Sequence, residues 1–118
     1  MSFGNRALFE PLRRLAEPLL ATYQPLETAA PIAPLLNQSR MLIIVNNLNT
    51  DILISFDAVN DHLFMPQSSQ ITLDFTSNEV DMNGLFIALG TTIYAKYSSA
   101  AATTGAVYAS SIYAYGDN

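Results

Sequence analysis

The chain has no cysteine, a single histidine, and five basic residues against ten acidic ones in 118. Each scarcity excludes something. Without cysteine there is no disulfide framework and no thiolate metal site, which fits a reducing compartment. One histidine rules out HExxH and any metal centre built on two imidazoles. A net charge of −5 leaves no basic face to neutralise phosphates, so nucleic acid is not an expected partner. No apolar run approaches the ~18 residues of a membrane helix, and no membrane partner is expected. The leading MSFGNRALFEPLRR lacks the apolar stretch of a secretion signal, so the chain is expected to be made and folded in the cytoplasm. The five glycines are dispersed and form no phosphate-cradling motif. Charge is short overall: 13% of residues, against roughly 25% in an ordinary soluble domain. Half of the residues are hydrophobic, so part of the apolar surface is expected to be covered by partners.

What remains divides into two regions, with a length that suits one core. Residues 1 to 39 are expected to form an N-terminal arm, and residues 40 to 118 a β-domain. Five of the six prolines, Pro11, Pro18, Pro25, Pro31 and Pro34, fall in the arm and forbid a long helix. Asn5 is placed to cap a short helix through RALFEPLRRLAE, kinked or restarted at Pro11, and extended chain follows. Phe3, Leu8, Phe9, Leu12, Leu15, Leu19 and Leu20 make this arm apolar, unlike a disordered tail. Such an arm lies either on its own domain or on a neighbouring subunit. Charge is also uneven: residues 1 to 40 are near +1, whereas Lys96 alone opposes seven acids thereafter.

From residue 40 the pattern is short strands and turns. Strands are expected at Met41–Asn46, Asp51–Phe56, Gln70–Phe75, Gly84–Leu89, Thr92–Tyr97 and Val107–Tyr115. Thr22-Tyr23-Gln24 is a candidate edge strand from the arm. Ile71, Leu73 and Phe75 share one face, as do Ile93, Ala95 and Tyr97. Val107, Ala109 and Ser111 oppose Tyr108, Ser110 and Ile112. The implied fold is all-β, an antiparallel β-sandwich or small barrel of about six to eight strands. Tyr94, Tyr108 and Tyr113 suit either packing within the sheets or a contact surface.

The cluster FDAVNDH holds Asp57, Asp61 and His62, two carboxylates and an imidazole. A metal site needs a further ligand or a recurring spacing, and neither is present. No GxSxG elbow accompanies the serines, although a triad is set by geometry rather than order. Paired carboxylates for glycoside hydrolysis need a cleft that a small sandwich rarely encloses. The stretch DFTSNEVDMNG spaces Asp74, Thr76, Asn78 and Asp81 somewhat like a calcium loop, without its glycine or terminal glutamate. The expectation is no catalysis, no cofactor and no metal, with FDAVNDH a turn closed by its own Asp and Asn.

NNLNTDILISFDAVNDHLFMP, then SSQITLDFTSN, GLFIALGTTIYAKY and GAVYASSIYAYG, resembles small virion proteins of tailed bacteriophages over roughly residues 40 to 115. Ala58 stands where such proteins usually carry glycine after Phe-Asp. If that glycine uses positive φ, Ala58 implies a different backbone shape in the loop. The resemblance implies a repeated subunit of the virion, assembled in the host cytoplasm. Capsid decoration or cementing leads, and a neck (head-tail connector) or tail-ring place is the alternative. The implied partners are a major capsid protein or portal and neck proteins, together with copies of itself. Interface residues are then expected on the arm and on Tyr94, Tyr108, Tyr113, Asp61 and His62. A reading of another class is a carbohydrate- or receptor-binding module built on those tyrosines and the FDAVNDH loop.

Overall fold

The computed structural model describes residues 6–15, 20–28, 32–37, 39–74, 87–88 and 90–115. These form nine strands and no helix. They are β1 (Arg6–Phe9), β2 (Arg13–Leu15), β3 (Gln24–Glu27), β4 (Ser39–Asn46), β5 (Ile52–Ser55), β6 (Leu63–Met65), β7 (Ser69–Asp74), β8 (Tyr94–Tyr97) and β9 (Val107–Tyr115). All pairings are antiparallel, in the order β6-β5-β8-β3-β2-β9-β4-β7, with β1 also on β9. The result is two facing layers, β2-β9-β4-β7 and β6-β5-β8-β3, joined along one side by the β2–β3 pair. The expected sandwich-or-barrel architecture is therefore present.

The helix expected through RALFEPLRRLAE is replaced, in its described part, by strand. Arg6 to Phe9 pair with Tyr115 to Ile112, and the Glu10 amide donates to Ser111 O at 3.0 Å. Pairing resumes with Arg13 on Ala109, so Pro11 and Leu12 together stand opposite Ser110. This is a β-bulge, and it explains the proline: a residue without an N–H is tolerated where the ladder is interrupted. Counted as one bulged strand, β1 and β2 bring the total among the described residues to eight. The bulge also resets the faces. Glu10 and Arg13 both point inward, while Phe9, Pro11, Leu12 and Arg14 are exposed.

β3 begins two residues later than the candidate edge strand and is not an edge, since β2 and β8 flank it. β6 is an addition. Its three residues, Leu63-Phe64-Met65, are too few to show alternation against the neighbouring turns. The strand expected at Gly84–Leu89 lies mostly outside the described residues; Ile87, which is described, forms an antiparallel bridge with Ser39.

Leu42 and Ile44 of β4, Ile52 and Ile54 of β5, Ala95 of β8 and Val107 and Ala109 of β9 fill the space between the layers, with Leu26, Leu35 and Ile93. Ile71, Leu73 and Tyr97 pack against this core, as their alternation predicts.

Two buried polar groups hold the rim. Asn46, at the end of β4, directs its amide nitrogen to Thr50 O, Met65 O and Pro66 O at 3.0–3.2 Å, and its Oδ1 accepts from the Leu48 amide. It thereby ties β4 to the end of β6 where β6 and β7 do not pair. Arg13 and Glu10 form an ion pair of 2.8 Å with both side chains about 1% exposed. Arg13 Nη2 donates to Pro34 O at 2.9 Å and Nε to Ala33 O at 3.4 Å. Glu10 accepts from the Asn37 amide at 2.9 Å and its side chain at 3.3 Å. The pair anchors residues 33 to 37, where Pro34 cannot supply a ladder donor.

Candidate functional site

Polar side chains concentrate at the two ends of the sandwich. At the end where β4 meets β9, the NNLNTD stretch is consumed by structure. Asn49 and Thr103 exchange hydrogen bonds, Nδ2 to Oγ1 at 2.7 Å and the Thr103 amide to Oδ1 at 3.0 Å. Thr50 Oγ1 donates to Ala100 O at 2.7 Å, and Asp51 accepts the Gln67 amide at 2.9 Å. Each of these residues joins one loop to another.

The opposite end carries the Asp57–His62 loop. Ser55 Oγ donates to Asp57 Oδ1 at 2.9 Å and accepts from the Ala58 amide at 3.0 Å. The same Oδ1 accepts the amides of Val59 and Asn60, both at 2.8 Å, and Oδ2 accepts the Asn60 side chain. Those bonds, the Asn60 amide first, hold the Asp57 carboxyl far below the usual carboxylate range. The turn expected from composition is therefore closed by its own side chains.

Ala58 completes it with φ +64°. The different backbone shape expected from the missing glycine does not occur: alanine takes the left-handed conformation itself. The Cβ crowding costs about 1–2 kcal/mol, offset in part by alanine's lower unfolded-state entropy. Ala58→Gly is expected to raise stability by about 0.5–1 kcal/mol, read as an increased urea midpoint with unchanged slope.

His62 Nδ1 accepts the Phe56 amide at 3.0 Å, and its ring stacks on Phe56 at 5.7 Å between centroids. A neutral imidazole so placed carries its proton on Nε2, which lies 3.8 Å from Asp57 Oδ2. Ser55, Asp57 and His62 are thus neighbours, but in the order Ser–Asp–His. A nucleophile needs the imidazole against its hydroxyl, whereas here the aspartate lies between, and Ser55 is fully buried.

Asp61 belongs to a second cluster. Tyr23 Oη donates to Asp61 Oδ1, Lys96 Nζ lies 3.6 Å from the same oxygen, and Lys96 also sits 4.6 Å above the Tyr23 ring. The Tyr23 bond, and then Lys96, lower the Asp61 pKa. Tyr23 is pushed well above the usual phenol value by desolvation first and by Asp61 second. The cluster ties the leading segment to the β5–β6 loop.

Among the described residues no group of three His, Asp or Glu side chains is placed to hold a metal. Thr76, Asn78 and Asp81 of the calcium-like spacing lie outside the described residues, as do Phe3 and Leu19 of the arm. An open groove of about 340 Å³ lies between the layers near Asp57, lined by Phe56, Leu73, Ile87 and Thr91. Its described lining offers hydrocarbon and one hydroxyl.

The expected contact residues do not form one patch. Tyr108 faces outward from β9, Tyr94 lies on β8 of the other layer, and Tyr113 lies beyond the core in the part of β9 paired with β1. Of the arm residues, Leu15 packs on the core and Leu8 is half-buried. Phe9 is 69% exposed, Leu12 53% and Leu20 51%.

The pairing registers assemble a surface that composition did not single out. Phe9, Ile112 and Met41 form one row across β1, β9 and β4. Ser110 and Ile43 form the next, beside the Pro11–Leu12 bulge, and Arg14, Tyr108 and Val45 the third. All point away from the core, opposite Leu42, Ile44, Val107 and Ala109. A solvated antiparallel sheet is normally polar on its outer face, and this one is apolar on both. The signal was legible in the unbroken MLIIV, Met41 to Val45, which allows no polar face. Comparison with protein-family models, with curated proteins and with solved structures finds no match.

Proposed function

We infer that this protein is a non-enzymatic structural subunit of a tailed-phage virion, repeated on the capsid as a decorating or cementing protein. The observation that carries the reading is the combination of inward-spent polar groups and outward apolar ones. The side chains of Asn46, Asn49, Thr50, Asp51, Asp57 and Asn60 bond to backbone or to other side chains, while Phe9, Leu12, Leu36, Val59 and Phe64 remain more than half exposed. Chemistry needs free polar groups, and assembly needs apolar area on a rigid support. The resemblance of residues 40 to 115 to small virion proteins supplies the kind of assembly. Weak contacts suffice there, because symmetry repeats each one many times.

Mass spectrometry of purified particles from the host that encodes the chain tests this directly. The protein is expected in the particle, at a copy number comparable to that of the shell subunit. A copy number of six or twelve moves it to the neck or tail ring. Absence from the particle removes the virion role.

A further inference from the structure

We propose that the outer face of the β2-β9-β4-β7 layer binds the same face of a second copy of this chain, giving a two-fold symmetric dimer. The centre of the face is apolar and contiguous: Phe9, Leu12, Ile43, Val45, Tyr108 and Ile112 lie in neighbouring rows fixed by the strand registers. Its edges are polar, with Arg14 on β2, and Gln70, Thr72 and Asp74 on β7 across from Val45, Ile43 and Met41. An apolar centre with a polar rim is the anatomy of a protein contact.

Charge selects the partner. Two chains of net charge −5 repel wherever acidic surfaces meet. Among the described acids, Glu10 is buried, Glu27 lies on β3, Asp51, Asp57 and Asp61 sit in the end loops, and Asp74 is on the rim. The centre of this face carries none, and its rim has a charge of each sign on opposite edges. A patch that must meet itself in a two-fold contact needs that neutrality. The outer face of the other layer is less suited, since Lys96 of β8 stands on it and pairs with Asp61 of the end loop beside the Tyr23 ring. Four strands at ~4.8 Å and about five residues at ~3.3 Å give roughly 300 Å² of flat face per copy. The ~600 Å² of the pair falls below the ~1,200 Å² of a standard specific contact, so the dimer is expected to be weak and to exchange with monomer toward the upper part of the micromolar range.

Sedimentation of the full chain from about 5 to 500 µM tests the proposal, because exchange in that range shows as a rising average mass. The expected result is a concentration-dependent approach to twice the 12.9 kDa chain mass. Ile43→Glu buries a charge at the centre and is expected to weaken association at least ~30-fold while circular dichroism shows the strands intact. A second measurement uses the absence of cysteine. In Ser110→Cys the only thiol lies mid-face, and a short bis-maleimide is expected to link two copies, while Phe64→Cys on the other layer stays unlinked. This arm stands even if Ile43→Glu fails to fold. A monomer throughout the range overturns the proposal, and so does a dimer linked through Phe64→Cys but not Ser110→Cys. The contact does not rest on the virion role. A dimer of a protein missing from particles removes that role alone, and a monomer found in particles removes this contact alone.

Discussion

Arg13→Ala is expected to lower stability by about 3–5 kcal/mol, because it leaves the Glu10 carboxylate buried without its counter-ion. A domain with typical stability of about 5–15 kcal/mol would be brought close to its folding threshold. Glu10→Ala is expected to cost a similar amount, leaving the guanidinium uncompensated. The double variant should cost about 2 kcal/mol less than the sum, as coupled neighbours do. The more discriminating variant replaces the pair by hydrocarbon, Glu10→Leu with Arg13→Met. An ordinary buried ion pair tolerates that exchange with little loss. Here it should remain destabilising, since Ala33 O and Pro34 O lose their donor and the Asn37 amide its acceptor. Urea unfolding of the four variants measures all of this. A double variant as stable as the parent would show that the pair does not anchor residues 33 to 37.

Gly105→Ala is the second large effect, expected to cost at least ~3 kcal/mol. Gly105 has φ +92°, and a Cβ there would lie 1.8 Å from the Asn47 carbonyl oxygen and 2.8 Å from its carbon. Both are backbone atoms, so no side chain can swing away. The two loops must separate, which breaks the Asn47 amide bond to Ala106 O at 2.9 Å and the Asn49–Thr103 exchange. The left-handed conformation adds about 1–2 kcal/mol for any residue with a Cβ. Gly90 is the internal control. Its φ is +88°, but no atom of the described residues lies within 4 Å of its would-be Cβ. Gly90→Ala should therefore cost only the conformational part. Equal losses at the two positions would refute the clash.

Much of the fold was legible because period-two alternation is a local property. β9 was placed at its observed bounds, and Val107, Ala109 and Ser111 face inward as their alternation implied. The turn character of FDAVNDH was also legible, since Asp57 and Asn60 close that loop over a few residues. Elsewhere local rules gave a different answer. RALFEPLRRLAE carries a helix cap and good helix formers, but β9 supplied a ladder, and the bulge at Pro11 absorbed the residue that a straight strand could not. Ala58 illustrates the reverse case: a loop with its own hydrogen bonds held alanine in a conformation better suited to glycine. In the sequence, Glu10 and Arg13 show only as charges of the leading segment, because burial of both depends on residues 33 to 37 bonding to them.

The sequence by itself determined the class of the fold, the inward faces of its alternating strands, and the lack of residue sets for thiolate, di-histidine or phosphate-cradling chemistry. Those follow from residue type and spacing, which do not depend on which strand lies beside which. Only the tertiary structure decided that Asn46 bridges to β6, that Ser55, Asp57 and His62 meet in an order unsuited to nucleophilic attack, and that side chains from three strands and the Pro11–Leu12 bulge share one apolar outer face. Each of these is a contact between segments far apart in the chain. Strand order and register set such contacts, and neither is written in any single stretch of residues.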